Sequence, residues 1–99
     1  MTLDEFRQSI SSGSDNTPPA NLSPLLQALW HDAHGDWERA HQLAQDVDTK
    51  DGAWVHAYLH RKEGDTSNAG YWYRRASREM FTGSLDDEWT HITEALLEQ

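Results

Sequence analysis

Apolar positions along this chain recur at helical spacing in several separate segments. In the clearest of them, four leucines and one alanine share one face of a predicted helix: Leu22, Leu25, Leu26, Leu29 and Ala33. Ser23 and Pro24 stand just before this face, in the positions of an N-cap and a first helical residue. A second apolar face runs from about Trp37 to Val47, after Gly35, a residue type that commonly ends a helix. The two segments predict an antiparallel helical hairpin.

The second half of the chain repeats this hairpin at an offset of 29 residues, the distance from Gly35 to Gly64. An aspartate follows each of these glycines, and Ala40 and Ala69 match at the same offset. Small residues at these two positions allow the helices of a unit to cross closely. The repeat predicts two further helices, at about residues 53–63 and 67–79.

Two more helices are expected at the ends of the chain. Residues 2–11 have a capping-box spacing, and residues 84–99 open with an acidic first turn, Asp86 to Glu88, that suits a helix N-terminus. We predict an all-α fold of two tandem hairpins with a C-terminal capping helix and a short N-terminal helix. Residues 1–20 are interpreted as that N-terminal helix and a flexible Ser/Pro-rich linker, and residues 21–99 as a single helical repeat domain.

The two units resemble tetratricopeptide and Sel1-like repeats. The resemblance rests on Gly-Asp at each turn, on Ala five residues after the Gly, and on the segment Tyr73-Arg-Arg-Ala76, and it covers about residues 21–78. It implies an α-α superhelix that acts by binding a protein or peptide. The offset of 29 residues departs from the tetratricopeptide period of about 34. Residues 53–60 and 68–76 also look like the signature of a group of small bacterial proteins, which implies no chemistry.

Composition excludes several classes of function. The net charge of −9 disfavours nucleic acid and anionic membranes as partners, and the lack of cysteine rules out disulfides and thiolate chemistry. Neither a secretory signal nor a membrane-spanning apolar stretch is recognisable, so we expect a cytoplasmic location. The sequence contains neither a Gly-x-Ser-x-Gly turn nor a phosphate-binding glycine loop. We therefore assign no catalytic residue, and expect a binding domain without a cofactor rather than an enzyme.

The histidines suggest metal binding as an alternative to a role in binding a protein or peptide. His56 and His60 are four residues apart, and the repeat places His31 at the position equivalent to His60. If the units stack, these three side chains meet as ligands for a divalent metal such as zinc, with His34 or Glu63 as further candidates. The competing interpretation is that the histidines face solvent or bond to nearby carboxylates, since the His-Glu-x-x-His motif is absent.

A second candidate site is a basic face for a protein or peptide partner, made of Tyr71, Arg74, Arg75 and Arg78. Its arginines suit a carboxylate or phosphate on that partner. The alternative is a solvated face whose arginines, together with Arg61 and Lys62, pair with Asp65, Glu79 or the acidic turn at residues 86–88. Two repeats also leave apolar edges, which favours a homodimer.

Overall fold

A computed structural model describes residues 1–12 and 17–99, and within them the chain forms six α-helices. They are α1 (Leu3–Ser12), α2 (Pro24–Ala33), α3 (Trp37–Gln45), α4 (Lys50–Lys62), α5 (Thr66–Arg75) and α6 (Leu85–Leu97). Helices α2 and α3 form one hairpin and α4 and α5 the next, while α6 closes against α2 and α4. The predicted all-helical arrangement is confirmed. Part of the predicted linker, residues 13–16, lies outside the described residues.

The turns of the two hairpins have the same conformation. Gly35 and Gly64 have φ angles of 91° and 89°, in the left-handed region where any other residue would be strained. The aspartate after each glycine, Asp36 or Asp65, then caps the following helix by accepting a hydrogen bond from a backbone N–H three residues later. Each Gly-Asp pair therefore ends one helix and begins the next.

Two helix boundaries differ from the predicted ones because of local hydrogen bonds. Helix α4 begins three residues earlier than expected, since Thr49 caps it by accepting from the N–H of Gly52 at 3.0 Å. Helix α5 ends at Arg75 instead of continuing towards residue 79. Ser77 adopts a left-handed φ of 59°, and its N–H bonds back to the carbonyl of Arg74 at 3.0 Å, which closes the helix.

The N-terminal helix is packed onto the repeat units. Phe6 is fully buried, with its ring centroid 5.9 Å from that of Trp89 on α6. Trp30 on α2 donates from Nε1 to Ser9 Oγ at 3.2 Å. Trp89 itself donates to the backbone carbonyl of Leu29 at 3.0 Å. Large aromatic side chains thus join α1, α2 and α6. Within residues 1–12 and 17–99, none of the helices has the length and apolar character needed to cross a bilayer.

A buried carboxylate joins the closing helix to the second hairpin. Glu88 on α6 is fully buried and accepts hydrogen bonds from Tyr73 Oη at 2.6 Å, Arg61 Nη1 at 2.9 Å and Trp54 Nε1 at 3.4 Å. Arg61 also donates to the carbonyl of Gly83, just before α6. Burial and the bond to Glu88 raise the pKa of Tyr73, so this residue stays a donor. The interaction of Arg61 with Glu88 fits the predicted pairing of basic residues with the acidic turn.

Candidate metal centre

Three histidines from two neighbouring helices meet where α3 packs on α4. His56 and His60 lie one turn apart on α4, and His41 approaches them from α3. One ring nitrogen from each residue lies within 4.8 Å of the others, and the Nε2 atoms of His41 and His56 are 2.9 Å apart. We call these three residues the histidine triad.

The close approach of α3 to α4 depends on a glycine. A Cβ atom at Gly52 would lie 2.0 Å from the carbonyl oxygen of Val47, so only glycine lets the connecting segment pass so near the first turn of α4. Further along the same interface, Trp37 at the start of α3 donates from Nε1 to the carbonyl of Leu59 at 2.8 Å. These two contacts hold His41 opposite the face of α4 that carries the other two histidines.

Aromatic rings enclose the triad on two sides. Trp37 stacks on His41 with ring centroids 4.9 Å apart, and Trp72 from α5 stacks on His56 at 4.0 Å. His60 also stacks on His56, with ring centroids 4.8 Å apart. His56 and His60 are consequently only 5% and 7% exposed. This packing fixes the ring orientations and keeps most water out.

A carboxylate orients one of the three rings. Oε1 of Glu63 lies 2.9 Å from Nδ1 of His60, so a proton on Nδ1 leaves the lone pair on Nε2. Metal-binding histidines usually make such a bond to a carboxylate or carbonyl with their second nitrogen. Asp65 also lies close enough to form a group with His60 and Glu63. Its Oδ1 caps α5 by accepting from Asn68 N at 3.2 Å, which accounts for its position.

Two rings of the triad, His41 and His56, are held in the neutral form near pH 7. Burial, followed by the positive charges that His41 and His60 would carry, lowers the pKa of His56 to about 4. Burial and the proximity of His60 also lower the pKa of His41. A metal ion binds the neutral imidazole, so neither ring has to give up a positive charge first; the proton shared between the two Nε2 atoms has to move to an Nδ1 atom.

The structure brings together two of the three histidines that the sequence selected. His56 and His60 belong to the triad, whereas the third member is His41 and not His31. The ring of His31 lies edge-on to Trp30 at 5.2 Å on α2, and burial lowers its pKa. His34 stacks on Trp30 at 4.7 Å.

The repeat itself explains why His41 was missed in the sequence. Equivalent positions in tandem units predict contacts between the first helices, α2 and α4. The face of α4 with both histidines instead meets α3, and the residue equivalent to His41 in the second unit is Gly70. A signal was present in the sequence nonetheless, since His41 lies four residues after Trp37 on one helical face.

The predicted basic face is partly engaged within the chain. Arg75 bonds to the hydroxyl of Tyr71 at 3.0 Å and lies over the rings of Tyr71 and Trp72. Arg78 lies over Trp54, 3.4 Å from its ring centroid. Tyr71 remains 45% exposed, and Arg74 is exposed beside it.

Comparison of the chain with known proteins finds no matching family model, no matching curated protein and no matching solved structure. The histidine triad and its surroundings are therefore the basis for a functional proposal.

Proposed function

We propose that this protein binds a divalent transition-metal ion, with zinc as the best fit, at His41, His56 and His60. The observation that carries the proposal is the convergence of three ring nitrogens within 4.8 Å of one another, from helices held by independent packing contacts. Imidazole ligands suit zinc, copper, iron and nickel, whereas magnesium and calcium prefer oxygen ligands.

The spacing of the nitrogens supports this proposal. Zinc binds histidine nitrogen at about 2.0–2.1 Å, so the nitrogens of a tetrahedral site stand about 3.3 Å apart. The separations in the triad range from 2.9 Å between His41 and His56 to at most 4.8 Å, which brackets that distance. Three histidines also leave one of four positions open for water or another ligand, as in catalytic zinc sites.

Metal titration of the metal-free protein by calorimetry tests the proposal. We expect one zinc ion per chain, and a loss of affinity of about 100-fold or more when any residue of the triad is replaced by glutamine. Glu63→Gln should weaken binding about 10- to 100-fold, because the orienting carboxylate is lost while the ligands remain.

Two further variants make the titration specific. His91→Gln, at an exposed histidine outside the triad, is the control and should bind zinc as the wild type does. His31→Gln distinguishes the site in the structure from the one the sequence suggested, and it should also retain binding. Loss of binding in His31→Gln with full retention in His41→Gln would contradict the proposed site.

A protein or peptide partner at the basic face is a second proposed function. It is supported by the 45% exposure of Tyr71 next to the exposed guanidinium of Arg74. The histidine triad has the stronger support, because all three of its ligands come from the chain itself and already face one another.

A further inference from the structure

A cavity of about 280 Å³ adjoins the histidine triad and shares His56 with it. The end of α3, the first turn of α4 and the face of α5 that carries Trp72 and Arg75 form its walls. Pockets for drug-sized ligands begin at roughly 300 Å³, so this cavity suits a smaller molecule.

The charges around the cavity favour an anion. Lys50 and Arg75 line it, and Asp48 is the acidic residue among the lining side chains. The Asp48 carboxylate lies 3.8 Å from Arg75 with 97% of its side chain exposed, so the attraction between the two is weak. Arg75 has five N–H donors, of which the hydroxyl of Tyr71 accepts from one. Donors therefore remain for a ligand, and the lining holds two cations against one carboxylate.

The remaining walls favour a flat apolar body. The guanidinium of Arg75 lies over the Trp72 ring, 5.4 Å from its centroid, and the ring of His56 stacks on Trp72 at 4.0 Å. Val47, Ala44 and Ala53 add apolar surface. A planar ring can pack against Val47, Ala44 and Ala53 while an attached carboxylate reaches the cations.

We infer that the cavity binds a small aromatic carboxylate, whose acid group pairs with Arg75 and Lys50 and whose ring packs against the apolar wall of Val47, Ala44 and Ala53. This inference rests on the proposed function in one respect. A metal ion on His56 adds positive charge at that end of the cavity, so it should strengthen binding of the anion.

Calorimetric titration with benzoate tests the inference, on protein whose zinc content has first been measured. We expect benzoate to bind the zinc-loaded protein more tightly than the zinc-free protein, and benzyl alcohol, which lacks the charge, to bind much more weakly. Arg75→Met and Lys50→Met should each lower the affinity for benzoate about 10- to 100-fold, since each removes one charged hydrogen-bonding partner. Arg39→Met, at an exposed arginine outside the cavity, should leave it unchanged.

The outcomes separate this inference from the metal centre. Stoichiometric zinc without benzoate binding, or equal losses in Arg39→Met and Arg75→Met, overturns the carboxylate site and leaves the metal centre intact. Benzoate binding that is identical with and without zinc overturns the stated coupling. Failure of zinc to bind at all overturns the metal centre, and with it that coupling.

Discussion

Acidification from pH 6.5 to pH 4 should destabilise the metal-free protein far more than a variant that lacks His56. The pKa of His56 falls from its ordinary 6.5 to about 4 on folding. Between these two pH values His56 is therefore protonated in the unfolded chain but not in the folded chain. Stability conferred by the neutral ring is complete above pH 6.5 and declines as the pH falls towards 4. The difference between the pKa values of His56 in the unfolded and folded chains corresponds to about 3 kcal/mol in the free energy of unfolding.

Urea unfolding at several pH values, on wild type and His56→Gln, measures this effect. Glutamine is a fitting replacement because Gln27 occupies the equivalent position in the first repeat. The variant should lose most of the extra acid sensitivity, and His91→Gln should keep it. Identical acid sensitivity in wild type and His56→Gln would show that His56 is not held neutral by its surroundings. His41, whose pKa is also lowered, should contribute in the same direction.

Glu88→Ala should lower the free energy of unfolding by about 3–5 kcal/mol. Removal of the carboxylate leaves Arg61, Tyr73 and Trp54 without their common acceptor in the interior. Since a domain of this kind is stable by about 5–15 kcal/mol, such a loss weakens the packing of α6 on the second hairpin substantially. Glu88→Gln should cost less, because an amide oxygen can still accept one of these bonds.

Denaturant unfolding with Glu94→Ala as the matched control measures the effect of the Glu88 substitution. Glu94 is an exposed glutamate on the same helix, and its replacement should change stability by less than about 0.5 kcal/mol. If Glu88→Ala and Glu94→Ala proved equally mild, the buried network would not be what joins α6 to the second hairpin.

Local features of the fold could be predicted from the sequence because short-range chemistry determines them. Ser23 caps its helix, and the two Gly-Asp turns adopt equivalent conformations, as the residue types at those positions suggested. The boundary of α5 was wrong by several residues because nothing about Ser77 in the sequence signals a left-handed conformation.

Features that depend on packing between helices were only partly predictable. The acidic first turn of α6 suited the helix dipole, yet Asp86 and Asp87 remain exposed while Glu88 is buried. The three carboxylates are adjacent in the sequence and chemically alike. Only the way α6 packs on the second hairpin determines which of them is buried. The histidine triad shows the same limit, because His41 joins it through the packing of α3 on α4 and not through the repeat.

NMR of the imidazole nitrogens during zinc titration tests the metal centre most directly, because it reports on each histidine separately. We predict that one equivalent of zinc shifts three sets of ring resonances together, those of His41, His56 and His60. The resonances of the other three histidines should stay in place: His31, His34 and His91. Unchanged spectra at one equivalent of zinc, or a response from His31 without one from His41, would contradict the proposed site.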